Sequence, residues 1–256
     1  MAAKVGQILD LVNELAPMEL AEGYDNVGLL LGHPEHRVER VLAALDATPG
    51  VVEEARRLDA QLLITHHPIL FRGRKNLRED DAEGALLCAL VRSGLSLIAA
   101  HTNYDNAPIG VNDALASALG LTHVERLENG LRLGELEAPV RLGEWKERVD
   151  KALSTNTRLY AGANRMVRRV AVCGGAGGEF WPLALKAGAQ AYLTGEVKHH
   201  DALSAAQCGL VLLEAGHMQT ERIAMKQLVI GLQNRANELQ YNIAFYVSEQ
   251  DPFAVE

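Results

Sequence analysis

Residues 61–105 read QLLITHHPILFRGRKNLREDDAEGALLCALVRSGLSLIAAHTNYD, and this stretch decides the fold class. It holds two short, continuous apolar runs, Leu62–Ile64 and Leu95–Ala100, which are typical of strands buried on both faces of a parallel sheet. Between them lies a helix-like segment at Ala82–Val91. A strand, a helix and a second strand in this order predict an α/β protein.

The same alternation of predicted strands and helices continues on both sides of this stretch. An amphipathic helix over Val5–Leu15 is predicted to end near Pro17, because its apolar residues recur at helical spacing. Further strands are predicted at 27–31, 41–45, 167–173, 191–194, 210–214 and 243–247. Further helices are predicted at 51–58, 182–187, 199–206 and 220–239.

Two related α/β lobes are predicted from this alternation. A strand that runs into a His-His pair and then a helix occurs in both halves, at 63–67 and at 192–200, although chance is the alternative for so short a match. Each lobe is expected to have three layers, α/β/α. The expected boundaries are 1–120 for the first lobe, 121–160 for a more polar connector and 161–240 for the second lobe. The last strand, within 241–256, is expected to join the first lobe.

Composition narrows the classes of function. There are 33 acidic and 25 basic side chains, which leave a formal charge of −8, and no long basic run occurs. This charge argues against binding the nucleic-acid backbone. The three cysteines lie far apart without a CxxC pattern, which is typical of a reducing compartment. Uncharged stretches reach only about a dozen residues, short of the ~18 that span a bilayer. We therefore expect a cytoplasmic protein that does not enter membranes.

Histidines and acids collect at the ends of three predicted strands, where ligands bind in α/β folds. The strands that end near 64, 100 and 214 are followed by four imidazoles and two carboxylates: His66, His67, His101, Asp105, His217 and Glu221. In the last two motifs the carboxylate comes four residues after the imidazole, which puts both on one face of a helix. For the His-His pair alone, the alternative is a surface loop with two hydrogen-bonded histidines.

Together the three clusters favour a metal centre between the lobes. Imidazole and carboxylate suit Zn, Fe, Mn, Co or Ni. Six candidate ligands exceed the four of a tetrahedral ion, which predicts two divalent ions that share a bridging carboxylate. Two ions carry +4 and two carboxylates supply −2, so the centre is expected to attract a phosphate or polarise a carbonyl-like group.

Five segments carry a resemblance to a known family. They are YDNVGLLLG at 24–32, ITHHP at 64–68, HTNYD at 101–105 with GVND at 110–113, YLTGEVKHHD at 192–201 and GHMQTE at 216–221. On these segments the chain resembles the Ngg-interacting-factor-three-like family, whose bacterial members are known as GTP cyclohydrolase I type two homologues. Met218 stands where the family motif usually has a tyrosine, so that hydroxyl is missing here.

The resemblance implies a dinuclear centre with five ligands: His66, His67, Asp105, His217 and Glu221. It places His101 beside the centre as an acid or base, a role that suits an imidazole because it titrates near neutral pH. Lys198, His199 and His200 are candidates to approach an anionic substrate from the second lobe, a role that the resemblance supports, and the alternative is a solvated helix start. Finally, it implies a homohexamer built as a trimer of dimers.

The function that this resemblance implies is a dinuclear metal-dependent hydrolase. The family name indicates GTP cyclohydrolase chemistry, in which water attacks C8 of guanine and formate is released. A related nucleotide or phosphate hydrolase would need the same residues, so a small phosphorylated or nucleotide ligand is expected. The alternative from another class is a metal-binding regulatory or scaffold protein without turnover, because "interacting factor" records binding rather than catalysis.

Two weaker signals have alternatives of their own. The glycine-rich segment at 174–178 follows a predicted strand, which suits either a tight turn or a phosphate-binding rim. Asp25 and Asn26 are expected either to orient metal ligands or to form an Asx turn.

Overall fold

The computed structural model describes residues 3–160, 162 and 164–253. It contains a five-stranded sheet, a six-stranded sheet and a two-stranded ribbon, with helices between the strands, and this confirms the α/β class. The chain divides into two compact units. Among the described residues, the first unit comprises 3–107 and 225–253, and the second comprises 108–224.

The first unit alternates strands and helices. In chain order its elements are β1 (Ala3–Lys4), α1 (Val5–Leu15), β2 (Gly28–Leu31), β3 (Arg37–Val38), β4 (Arg40–Ala44), α2 (Pro49–Arg57), β5 (Leu62–Thr65), α3 (Ala82–Ser93), β6 (Ser96–Ala99) and α4 (Thr102–Asn106), with β13 (Ala244–Val247) from the end of the chain. The helix α1 ends before Pro17 as predicted, because proline disfavours helical backbone in the residue that precedes it.

The sheet of the first unit has the strand order β13-β4-β5-β6-β2. Its first four strands are parallel, and β2 pairs antiparallel with β6. Every residue of β5 is buried, so both faces of this strand are covered, and α2 and α3 pack on one of them. The carboxyl ends of β4, β5 and β6 lie side by side, so the residues that follow them meet at one edge.

The second unit is built around three parallel strands. Its elements are α5 (Val111–Ala118), β7 (Thr122–Arg126), β8 (Arg132–Arg141), α6 (Leu142–Leu153), β9 (Arg158–Leu159), β10 (Met166–Cys173), α7 (Trp181–Lys186), β11 (Ala191–Thr194), α8 (His199–Gln207), β12 (Val211–Glu214) and the first eight residues of α9 (His217–Glu238). The strand order is β7-β8-β10-β11-β12-β9. Here β10, β11 and β12 are parallel, and the remaining pairs are antiparallel.

Alternate residues of β10 point into two different cores. Val170 and Val172 pack with α5 and α6, whereas Ala171 and Cys173 pack with α7 and α8. Because neighbouring strand residues point to opposite faces, helices cover both faces of this sheet. The second unit therefore has the three layers that the sequence predicts.

The segment 121–160 is part of the second unit and not a separate connector. Here β7 and β8 form a hairpin beside β10, β9 pairs with β12, and Trp145 of α6 is fully buried in the core. The boundaries between the units consequently fall near 107 and 224, not at 120, 160 and 240. The polar composition was misleading because β7 is an edge strand whose five residues are all exposed.

Within the described part of the chain, no helix combines the length and the apolar composition needed to cross a bilayer. The cytoplasmic location stays a prediction.

Candidate metal centre

Three neighbouring strands of the first unit bring the candidate residues to one edge of the sheet. His66 and His67 follow β5 directly, and His101 follows β6 and precedes α4, which carries Asp105. Asp46 comes two residues after β4. Because these strands are adjacent and parallel, residues separated by tens of positions in the chain are neighbours here.

The three imidazoles of His66, His67 and His101 form one cluster. One nitrogen of each ring lies within 4.8 Å of the corresponding nitrogens of the other two. Their ring centroids are 5.0 to 5.5 Å apart. Nitrogens grouped in this way are candidates to hold a metal ion, and imidazole nitrogen is a common zinc ligand.

Each ring of this cluster is held by an oxygen atom at Nδ1. The Nδ1 of His66 is 2.8 Å from the Ala100 carbonyl oxygen, and the Nδ1 of His67 is 2.8 Å from Asp46 Oδ1. The Nδ1 of His101 is 2.9 Å from Asp25 Oδ1. Carbonyl and carboxylate oxygens only accept hydrogen bonds, so Nδ1 donates in each case and the lone pair is left on Nε2. This tautomer is the one that binds a metal through Nε2.

The Asp25 side chain is completely buried next to His101. It accepts hydrogen bonds from the Thr102 backbone nitrogen at 3.0 Å and from the Thr102 hydroxyl, in addition to His101. Burial alone raises the pKa of the Asp25 carboxyl, but the hydrogen bonds from Thr102 and His101 outweigh it and hold the pKa below its usual value. Asp25 is therefore a carboxylate that orients His101. It also accepts from the Asn26 backbone nitrogen at 2.8 Å. An Asx turn uses the nitrogen two residues on, so this bond is not the predicted turn.

Asp105 lies beside the same cluster. Its Oδ1 is 3.6 Å from His66 Nε2, which is too long for a hydrogen bond and short enough for both atoms to bind one ion. The first unit thus supplies three imidazole nitrogens and one carboxylate, the donor types that suit Zn, Fe, Mn, Co and Ni.

The second unit contains a smaller group built on one helix turn. His217 is the first residue of α9 and Glu221 follows one turn later, with Nε2 3.1 Å from Glu221 Oε2. The Nδ1 of His217 is 2.7 Å from Oε1 of Glu196, which comes two residues after β11. His217 is therefore held at Nδ1 by an oxygen atom in the same way as the three rings of the first unit.

The glycine-rich segment at 174–178 packs against Glu221. A Cβ atom at Gly175, whose φ is +63°, would lie 2.1 Å from Glu221 Oε1. The Gly174 nitrogen donates to Asn112 Oδ1 at 2.7 Å and the Gly175 nitrogen to Thr220 Oγ1 at 3.1 Å. These two donors are engaged within the protein, which favours the turn over the phosphate-binding rim.

Lys198, His199 and His200 lie exposed at the start of α8. Lys198 lines a cavity of about 460 Å³ together with three carboxylates, those of Glu179, Glu196 and Glu214. The imidazole of His200 is 3.7 Å from Asp201 Oδ2. The predicted role of these three residues toward an anionic substrate stays a prediction.

Two carboxylates in these groups were missed at the level of sequence. Asp46 and Glu196 hold His67 and His217, and each comes two residues after a buried parallel strand. An acidic residue just after such a strand was a usable signal, because it shares the sheet edge with the histidines. Which histidine it holds depends on the strand order, which the sequence does not display.

Comparisons with known proteins agree with these motifs. The profile of the Duf34/NIF3 (NGG1p interacting factor 3) family matches residues 3–252. The GTP cyclohydrolase 1 type 2 homolog of Clostridium perfringens is 31% identical over 98% of both chains. The GTP cyclohydrolase 1 type 2 of Helicobacter pylori is 31% identical over 86% of this chain and 88% of its own. A hypothetical protein of Staphylococcus aureus has a similar structure, with a TM-score of 0.94, 28% identity and full coverage of both chains. The chain belongs to the Duf34/NIF3 family.

Proposed function

We propose that the chain is a hydrolase that depends on two divalent metal ions, with His66, His67, Asp105, His217 and Glu221 as ligands. One observation carries this proposal. In both units the imidazoles are held at Nδ1 by oxygen atoms and keep the lone pair on Nε2. This arrangement is typical of metal-bound histidines, since the oxygen fixes the ring and makes its other nitrogen a better ligand.

The donor set supports two ions rather than one. Five ligands exceed the four of a closed tetrahedral site. Asp105 and Glu221 balance only two of the four positive charges, so an anionic substrate is attracted. When bound, the ions supply Lewis acidity that activates water and polarises a phosphoryl or carbonyl-type centre.

His101 is proposed as the residue that moves the proton. Its Nε2 accepts the proton that the attacking water gives up and returns it to the leaving atom. Asp25 keeps the Nδ1–H in place and stabilises the imidazolium that forms, because it is a buried carboxylate within hydrogen-bond distance.

GTP is the substrate that the relatives favour. Curated relatives carry the name GTP cyclohydrolase 1 type 2 or its homolog. The proposed reaction is therefore water attack on C8 of guanine with release of formate, and the phosphohydrolase reaction on another nucleotide would use the same groups.

The test combines metal content with turnover. Protein purified without added metal or chelator should hold close to two divalent ions per chain and release formate from GTP. Glu221→Gln should lose both properties, and His36→Ala, on an exposed surface, should lose neither. One tightly held ion that is unchanged after manganese or zinc is added would refute the dinuclear centre. Two ions without turnover of any nucleotide would favour the regulatory or scaffold protein.

His101→Gln tests the proton-transfer role separately. The variant should keep its metal and lose turnover. If metal is lost instead, His101 is a ligand.

A homohexamer, a trimer of dimers, is part of the same proposal because the family resemblance implies it. Light scattering at micromolar concentration should give six times the chain mass of 27.8 kDa. A monomer that retains its metal would contradict it.

A further inference from the structure

We propose that a groove in the first unit, between segments 24–26 and 70–77, binds a nucleoside phosphate, with the base against Tyr24 and Phe71 and the phosphates against Arg72 and Lys75. This inference rests on the proposed function, because it names the substrate class and the substrate-binding residues of the same site.

The groove has the size and the fixed walls of a small-molecule site. Its volume is about 650 Å³, within the range of roughly 300–1,000 Å³ that is usual for ligand pockets. One wall is tied to the other by Asn26, whose Nδ2 donates to the Leu70 carbonyl oxygen at 2.6 Å. The two segments are therefore held together where the groove begins.

Two aromatic rings give the groove its apolar surface. The centroids of Tyr24 and Phe71 are 6.2 Å apart with an interplanar angle of 71°. Tyr24 is 67% exposed and Phe71 is 42% exposed, so both rings offer contact area to a ligand. A base that stacks on either ring removes apolar surface from water, and every base has a π-face that suits this contact.

Two cations in the same groove are available to an anion. Arg74 is committed to the protein, since its Nη2 is 2.8 Å from both carboxylate oxygens of Asp81 and its Nη1 contacts Glu83. Arg72 and Lys75 are exposed, and within the described part of the chain neither forms an ion pair. Guanidinium and ammonium groups in this setting bind phosphate oxygens.

The groove also leads to the proposed proton-transfer residue. The ring centroid of Phe71 is 6.0 Å from that of His101, and Asp25, which holds His101, lines the groove. By contrast, Lys198 in the second unit shares its cavity with three carboxylates, which repel a phosphate. The observations therefore favour Arg72 and Lys75 as the phosphate-binding cations.

Calorimetric titration of the full-length protein tests this inference. The probes are GTP, guanosine and inorganic triphosphate, each added to metal-loaded protein and to protein treated with EDTA. Phe71→Ala should weaken GTP and guanosine about tenfold. The double variant Arg72→Gln/Lys75→Gln should weaken GTP and triphosphate about tenfold and flatten the salt dependence of binding. Phe253→Ala and Arg57→Gln remove an exposed ring and an exposed cation elsewhere in the unit, and should change neither affinity.

The outcomes separate this inference from the proposed function. GTP binding that the Phe71 and Arg72/Lys75 variants leave unchanged, or wild-type protein that binds no GTP with or without metal, overturns the groove. If wild type turns over GTP and these variants keep the same KM, the proposed hydrolase activity is supported and the groove is not the substrate-binding site. Another outcome is that EDTA-treated wild type binds GTP, the variants do not, and no turnover occurs with metal. In that case the groove binds GTP and the proposed hydrolase activity is wrong.

Discussion

The two groups of candidate ligands use the same chemistry and are built in different ways. In the first unit the three rings follow two adjacent strands, and their oxygen partners come from three further positions: Asp25, Asp46 and Ala100. In the second unit, His217 and Glu221 lie side by side because they are one helical turn apart in α9. The partner of His217, Glu196, follows β11, a strand of the sheet of the second unit. One site depends on the order of strands in a sheet, and the other depends chiefly on local helical spacing.

Burial differs between the two groups as well. The His66 and Asp25 side chains are fully buried, whereas His217 is 34% and Glu196 59% exposed. Water and salt screen exposed charges more strongly than buried ones. The imidazoles and outer carboxylates of the first unit should therefore be more sensitive to substitution and less sensitive to ionic strength than His217 and Glu196.

The strongest test of this difference removes one imidazole from each group. His66→Ala and His217→Ala should each lower metal affinity by more than the ~100-fold that loss of an outer partner costs, with His66→Ala the more severe. Elemental analysis and competition with a chelator measure the effect. The matched control is His36→Ala, which removes an exposed imidazole of the first unit. Two ions retained in both variants would show that the ligands lie elsewhere.

Substitution of the outer carboxylates should have a smaller effect. Asp46→Asn and Glu196→Gln keep the shape of the side chain and remove the charge that orients His67 and His217. A loss of about 10- to 100-fold in metal affinity is expected for Asp46→Asn, and a smaller loss for Glu196→Gln. When both titrations are repeated at high salt, the loss of metal affinity caused by Glu196→Gln should decrease more than the loss caused by Asp46→Asn. Equal losses at all salt concentrations would count against the difference in burial.

A glycine substitution tests how closely the second group is packed. Gly175→Ala places Cβ 2.1 Å from Glu221 Oε1, whereas Gly209→Ala, at a φ of +82°, meets no atom within 4 Å. Both variants should lose about 1–2 kcal/mol of unfolding free energy to the left-handed backbone. Only Gly175→Ala should also weaken metal binding, because Glu221 must move. Thermal unfolding in EDTA and metal titration give the two readouts, and equal behaviour of the two variants would contradict this account.

The smallest expected effect is on the stability of the second unit, at a residue that is not a candidate ligand. Asp150 of α6 accepts hydrogen bonds from Lys146 Nζ at 2.6 Å and from the Thr157 backbone nitrogen at 2.7 Å. Burial raises the pKa of this carboxyl, but these bonds and the charge of Lys146 outweigh it and lower the pKa. Asp150→Asn should therefore cost about 1 kcal/mol of unfolding free energy at neutral pH.

The pH dependence of this loss follows from the lowered pKa. The contribution of Asp150 is present above the ordinary pKa of 3.8 and disappears as the pH falls through the lower pKa of the folded state. The unfolding free energies of wild type and Asp150→Asn should thus become equal in acid. The metal affinity of the variant at neutral pH should be unchanged. A difference in stability that persists at the lowest pH would refute the assignment.

Strands buried on both faces were predictable because most of their side chains are apolar. The strands β5, β6, β11 and β12 were found in this way, and with them the histidines that follow β5, β6 and β12. The hairpin of β7 and β8 was missed, since an exposed edge strand such as Thr122–Arg126 carries no apolar signal. The hydrogen bond between Asp46 and His67 could not be predicted from the sequence for another reason. It requires β4 to lie next to β5, and strand order is fixed by packing between distant segments.

The pairing of β13 with β4 has a consequence for how the chain folds during synthesis. The two strands lie side by side in the first unit, yet the whole second unit is translated between them. A nascent chain therefore carries β4 as an open edge, able to pair with other chains, until β13 has left the ribosome. The second unit is one continuous segment of the chain, whereas the first unit cannot complete its sheet before β13 has been synthesised.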